Sequence, residues 1–185
     1  YGFERDFDQF THRIDLSEPI LEKWEGLLKK LHERNEWEIR PYRRDQLPQM
    51  VRDFVEVYNQ AWASMDLARP LDEKDVRKLF DEMRAIIDKH LIYFAYRNSR
   101  PVGFMIGIPD INPLIRKTGD PGTLLGKIKW MLHRNRVELP TAKGLIFGII
   151  KEEQNTGLLL ALAEAFHRGV TLFTSYRYVE LSWVG

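Results

Sequence analysis

Residues 148–159 read Gly-Ile-Ile-Lys-Glu-Glu-Gln-Asn-Thr-Gly-Leu-Leu, a short apolar run that passes through a polar turn into a second apolar run. A strand, a turn and a helix in that order leave several backbone N–H groups at the helix start without partners. With the positive end of the helix dipole, those donors make a site for phosphate. Gly157 lets the backbone come close to a ligand, because a side chain there stands in the way. Gln154, Asn155, Thr156, Gly157 and Leu158 are therefore the candidate anion-binding turn. The pattern alone is weakly specific, since many helices open on Asn-Thr-Gly and bind nothing.

Other reactive side chains are sparse. With 0 cysteines there is no disulfide, thiolate metal site or cysteine nucleophile, and a cytoplasmic location is permitted. His12, His32, His90, His133 and His167 share no metal-ligand spacing, so surface or cap roles and no metal are expected. From Ile111 to Lys143 there are seven basic residues, Arg116, Lys117, Lys127, Lys129, Arg134, Arg136 and Lys143, against the two acids Asp120 and Glu138. A solvated helix face accounts for them; a contact to a phosphate or an acidic acceptor is the functional alternative.

The elements that must carry the turn are read from apolar spacing. Residues 1–16 have no clear period. Ser17 as cap, Pro19 in the first turn, and Ile20, Trp24, Leu27, Leu28 and Leu31 on one face predict a helix. Trp37 and Ile39 alternate with charges as in a half-buried strand that ends at Pro41. Leu47, Met50, Val51, Phe54, Val55, Tyr58, Ala61, Trp62 and Met65 fall at helical spacings. Asp72 caps a third helix with Val76, Leu79, Phe80, Met83, Ile86 and Ile87 inward. Residues 91–96 and 101–108 are apolar strands joined through Arg97-Asn-Ser-Arg, a turn of hairpin length. Pro109-Asp-Ile-Asn-Pro breaks the chain, and Leu124, Leu125, Ile128, Met131 and Leu132 suggest a helix. The final unit is a strand at 145–150, a polar loop at 151–157, a helix at 158–166 closed by Gly169, and a strand at 178–184. That last strand, helix and strand should form a parallel, right-handed crossover.

A chain of 185 residues at 44% hydrophobic and 30% charged is an ordinary globular composition, large enough for one real core. The net charge of +1 gives bulk electrostatics no preference for nucleic acid. No apolar stretch approaches the roughly 20 residues that span a bilayer, so no membrane partner is expected. Residues 1–35 are expected as an N-terminal arm or linker with one amphipathic helix, and 36–185 as the domain. The opening Tyr1-Gly-Phe-Glu lacks an initiator Met, so the chain is expected to be part of a longer polypeptide.

The element order and the turn resemble the GNAT superfamily of acyl-CoA N-acyltransferases, whose pyrophosphate loop has the form Gln/Arg-x-x-Gly-x-Gly/Ala. Gln154-Asn-Thr-Gly157-Leu158 matches, with Leu159 where Gly or Ala is usual. Four further segments resemble a group of bacterial GNAT-like acetyltransferases: Val57-Tyr-Asn-Gln-Ala-Trp62, Pro101-Val-Gly-Phe104, Pro109-Asp-Ile-Asn112 and Glu180-Leu-Ser-Trp183. The resemblance covers roughly residues 36–185 and implies a mixed, mostly antiparallel α/β sheet with a parallel βαβ unit and helices on both faces. It also implies that the domain lacks its final helix and strands after Gly185, leaving a sheet edge to be covered.

The resemblance further implies the function: transfer of an acetyl or acyl group from acyl-CoA to an amine, with acetyl-CoA or another acyl-CoA as co-substrate. The pantetheine arm would lie along Phe147, Gly148, Ile149 and Ile150 between diverging strands, with phosphates at Gln154–Leu158. Glu180 is the candidate general base, against an ordinary strand carboxylate. Asn59, Trp62, Asp110 and Asn112 are implied for the pocket of a small-molecule or amino-acid-like amine, with core packing as the alternative for Trp62 and a turn role for Asn112. A homodimer or a contact with a missing upstream domain is the partner expectation. A degenerate GNAT-like domain acting as a binding or structural module is the competing reading, favoured by Leu159 and by a strand at 145–150 without a carboxylate.

Overall fold

The computed structural model describes residues 10–19, 21–62, 69–119, 123–133 and 136–184. Met65 and Ile20, both assigned above to helix faces, lie outside them. The elements are β1 (Phe10–Asp15), α1 (Glu25–Arg34), β2 (Glu38–Pro41), α2 (Leu47–Ala61), α3 (Glu73–Glu82), β3 (Ile92–Arg97), β4 (Arg100–Pro109), α4 (Asn112–Thr118), α5 (Leu124–His133), β5 (Thr141–Ile149), α6 (Leu158–Phe173) and β6 (Tyr178–Val184). The strands form one sheet in the order β1-β6-β5-β4-β3-β2. Among the described strands only β5 and β6 run parallel, and every other pair is antiparallel. The expected mixed α/β class with its βαβ crossover is what forms.

The sheet is built outward from the β3–β4 hairpin. Asn98 and Ser99 both take positive φ, 50° and 64°, which is the twist a two-residue hairpin loop needs. Both strands are nearly buried along their length because each face is covered. On one face α2 sets Phe54 against Phe104, ring centroids 4.7 Å apart, and α3 adds Phe80 beside Phe54. On the other face Leu158 and Leu162 of α6 pack over Gly103, and Phe166 meets Tyr93 edge-on. Phe94 and Phe104 are fully buried, each worth roughly 2–3 kcal/mol of transfer free energy.

Several expectations are corrected. The segment at 10–15, expected within an arm, is an edge strand that pairs with β6 from Asp15↔Tyr178 to Phe10↔Val184, so the β6 edge is covered. Ser17 caps no helix; its N–H and hydroxyl donate to Asp15 in a local turn, and α1 starts only at Glu25. Asp110-Ile-Asn-Pro opens the unforeseen α4: the Asp110 carboxylate accepts from the Asn112 amide at 3.2 Å. Leu79, assigned to the buried face of α3, is exposed. Gly169 is no cap, because α6 runs on to Phe173; a Cβ there would lie 1.7 Å from the Tyr93 hydroxyl oxygen, so the glycine admits that ring.

Candidate functional site

The parallel strands β5 and β6 pair from Thr141↔Tyr178 through Gly144↔Leu181 and then part. Beyond that rung both strands continue with different neighbours. β5 stays on β4 through Ile149↔Gly103, and β6 stays on β1 through Val184↔Phe10. The cause is local. Ile106 faces Ile146 while Gly107 faces Gly144, so Leu145 is an extra residue without a partner on β4. A bulge of this kind bends its strand and raises its twist, which carries the end of β5 away from β6. The strand edge over residues 145–149 therefore faces an opening.

At the mouth of that opening the chain makes its turn. Residues 151–153 form one helical turn, Asn155 takes φ of 63° and Gly157 φ of 99°, and α6 begins at Leu158. The Thr156 hydroxyl closes the turn by donating to the Glu153 carbonyl at 2.6 Å. Ala161 N–H reaches the Gly157 carbonyl at 3.1 Å, and no side chain caps the amides ahead of it. Among the described residues those amides have no acceptor in the chain, as the first turn of a helix requires. Leu159, where a small residue was expected, is 44% exposed. Gly157 also has a packing role: besides its φ, a Cβ there would come within 2.8 Å of Leu31 on α1.

The turn is fastened by residues that the sequence pattern does not mark. Glu153, expected in a polar loop, is buried. Its carboxylate accepts from the Trp37 indole at 3.1 Å and lies 2.9 Å from Arg97 Nε, in contact as an ion pair though not aligned as a hydrogen bond. Arg97 also pairs with Glu36 and stands over the Trp37 ring. These partners lie on β3 and just before β2, far away in sequence, so no local pattern signals them.

The other named residues divide between the two ends of the sheet. The last turn of α2 overlies Gly148, since a Cβ on that glycine would lie 3.6 Å from Ala61 and 2.8 Å from the Phe104 ring. Trp62 follows Ala61 and stacks on Tyr58 with centroids 5.6 Å apart, half-buried rather than in the core. Asn59 gives both ends of its amide to the Leu71 backbone, at 2.8 and 3.1 Å, and so holds that segment against α2. Asp110 and Asn112 hydrogen-bond each other at the opposite end, beside the start of β5. That is about 20 Å along the strand from Gly148 at ~3.3 Å per residue. Asp110 and Asn112 thus lie beside the start of β5, and Asn59 and Trp62 at the end of α2. Glu180 sits one rung below the parting point, its carboxylate 3.2 Å from Lys143 Nζ. Among the described residues no group of acidic or histidine side chains is arranged to hold a metal, and no helix is long and apolar enough to cross a membrane.

Strand order, the parallel pair and its divergence give this chain a GNAT-type fold. No family model matches it. Over 143 residues it is 26% identical to a bacterial ceramide synthase of Caulobacter vibrioides, covering 74% of this chain and 36% of that protein. Over 171 residues it is 27% identical to protein YghO of Escherichia coli, covering 85% and 42%. The chain thus spans less than half the length of either curated relative. Among solved structures it is similar to the loading GNATL domain of CurA from Lyngbya majuscula, with a TM-score of 0.47 and 16% identity over 76% of this chain and 61% of that one.

Proposed function

We propose that the chain carries an acyl-CoA-dependent N-acyltransferase site in the opening between β5 and β6. One observation carries the reading: pairing stops at Gly144↔Leu181 while both strands continue, beside a helix start whose amides have no acceptor among the described residues. The free edge at 145–149 suits the amides of a pantetheine arm, and the amides from Asn155 to Leu160 suit its phosphates. The thioester carbonyl would then lie near Gly144, where the strands meet. The amine lone pair attacks the carbonyl carbon, the C–S bond breaks, the thiolate leaves with CoA, and the amine loses one proton. Glu180, one rung away, is the carboxylate positioned to take that proton.

A long apolar acyl group and a lipidic amine are the finer reading. Leu145 and Phe147, on the free stretch of β5, are 55% and 53% exposed, an apolar lining suited to a hydrocarbon chain. The likeness to a ceramide synthase supports it, a ceramide being a long-chain amino alcohol with an amide-linked acyl chain. The degenerate-domain reading has Lys143 on its side, because an ammonium 3.2 Å away competes for the Glu180 carboxylate.

Thermal unfolding with acetyl-CoA and with a long-chain acyl-CoA tests the site. A real site at a ligand concentration a hundred times Kd adds about 2.7 kcal/mol of stability, a shift of roughly 5–10 °C. No shift with either ligand removes the acyl-donor site. A shift without free CoA release across a panel of small and long-chain amines leaves the binding module.

A further inference from the structure

We propose that α5 is a membrane-surface element that lays its outer face on an anionic lipid bilayer. This goes beyond the acyl-transfer reading and does not depend on it. The helix is amphipathic with its apolar side outward. Gly126 is buried and Trp130 half-buried, while Leu125, Ile128, Met131 and Leu132 are 71%, 48%, 70% and 59% exposed. At 100° per residue those four fall within an arc of about 120°, the width of a full apolar stripe. A monomer in water has no use for four large apolar side chains side by side on one helix, and such a patch marks an interaction surface.

Charge identifies the surface it meets. Lys129 is exposed on the same helix, and Arg116 and Lys117, in the last turn of the adjoining α4, and Arg136, just after α5, are exposed too. Glu138 is the one exposed acid described between Ile111 and Pro140. An apolar stripe with exposed cations on its own helix and on the adjoining segments fits a sheet of anionic headgroups over hydrocarbon: the stripe enters the acyl boundary and the cations stay with the phosphates. A protein partner with an apolar face has no need of that surplus of positive charge. The expectation of no membrane partner concerned spanning segments; a helix lying in the interface is shorter and needs none.

The test is co-sedimentation of the chain with phosphatidylcholine vesicles, with and without about one-third phosphatidylglycerol. Binding to the anionic vesicles, weakened at least about tenfold without phosphatidylglycerol or in about 0.5 M salt, is expected. The double variant Leu125→Asp/Met131→Asp should lose at least about tenfold, and Arg116→Gln/Lys117→Gln a few-fold. Unchanged thermal unfolding of the variants shows that they fold, and the acyl-CoA thermal shift in the same samples reports on the transfer site separately. Equal binding to neutral vesicles, no binding to either, or the double variant binding like the parent overturns the proposal. So does a dimer in sedimentation that the double variant abolishes, since a second copy would then own the face.

Discussion

The Lys143 ammonium stands 3.2 Å from the Glu180 carboxylate across the next-to-last rung that joins β5 to β6. The pair lies where the two strands are about to part, next to the point at which a bound thioester would present its carbonyl. Both side chains are partly open to water, so the ion pair itself adds little to stability, on the order of 0–1 kcal/mol. Its weight is chemical: the Lys143 ammonium already engages the carboxylate that the proposed transfer would use.

If Glu180 takes the proton, Glu180→Gln should cut kcat about a hundredfold and leave acyl-CoA binding unchanged, since a positioned base contributes roughly 10²–10⁴. Lys143→Met removes the ion-pair partner of the Glu180 carboxylate and should change kcat while the fold stays intact. Steady-state kinetics, with thermal shifts as the binding control, checks both. Full turnover by the Glu180→Gln variant returns the carboxylate to a plain strand role.

Arg97 is expected to govern the shape of the turn. Arg97→Met leaves the Glu153 carboxylate buried with the Trp37 indole as its remaining partner. An unpaired buried carboxylate is costly; with Arg97 itself part-exposed, about 2 kcal/mol of stability should be lost. Glu153→Gln should cost less, because the neutral amide carries no charge to bury. Urea unfolding measures the loss. Weaker acyl-CoA shifts in Arg97→Met at a temperature where it is fully folded would tie the ion pair to the ligand turn.

Alkaline pH should unfold the protein in a way that two tyrosines explain. Burial, more than the hydrogen bond to Asp53, pushes the Tyr96 hydroxyl well above its ordinary value of 10.0; burial, then the nearby Asp88, does the same to Tyr176. A folded-state pKa above the unfolded one makes the stabilisation complete below pH 10 and steadily lost as pH rises beyond it. Tyr96→Phe and Tyr176→Phe should each flatten the fall of stability above pH 10. Tyr96→Phe should also cost roughly 1–3 kcal/mol at neutral pH, since buried Asp53 loses a donor. Denaturant unfolding at several pH values from neutrality upward reads both effects.

What could be read along the chain was what repeats locally. The predicted stripe residues Met50, Val51 and Phe54 are buried where the helical period put them, and Asp72 caps α3 by accepting from the Lys74 amide at 2.7 Å. The apolar runs on either side of Asn98-Ser99 became the central hairpin. β1 escaped because Phe10-Thr-His-Arg-Ile-Asp is an edge strand with mostly exposed side chains, so no apolar alternation marks it; its partner lies more than 160 residues away. α4 escaped because a Pro-flanked Asp-x-Asn reads equally as a turn or a helix cap.

The sequence by itself determined the class of sheet, the crossover at its end and the turn from Gln154 to Leu158, because periodicity, glycine and proline act over a few residues. Tertiary structure alone decided that β5 and β6 part after Gly144, that Glu153 is buried between Arg97 and Trp37, and that Glu180 meets Lys143. Those outcomes depend on which distant strands become neighbours and on one unpaired residue, Leu145, that bends a strand. Such relations come from packing across the sheet, and no window of the chain contains both partners.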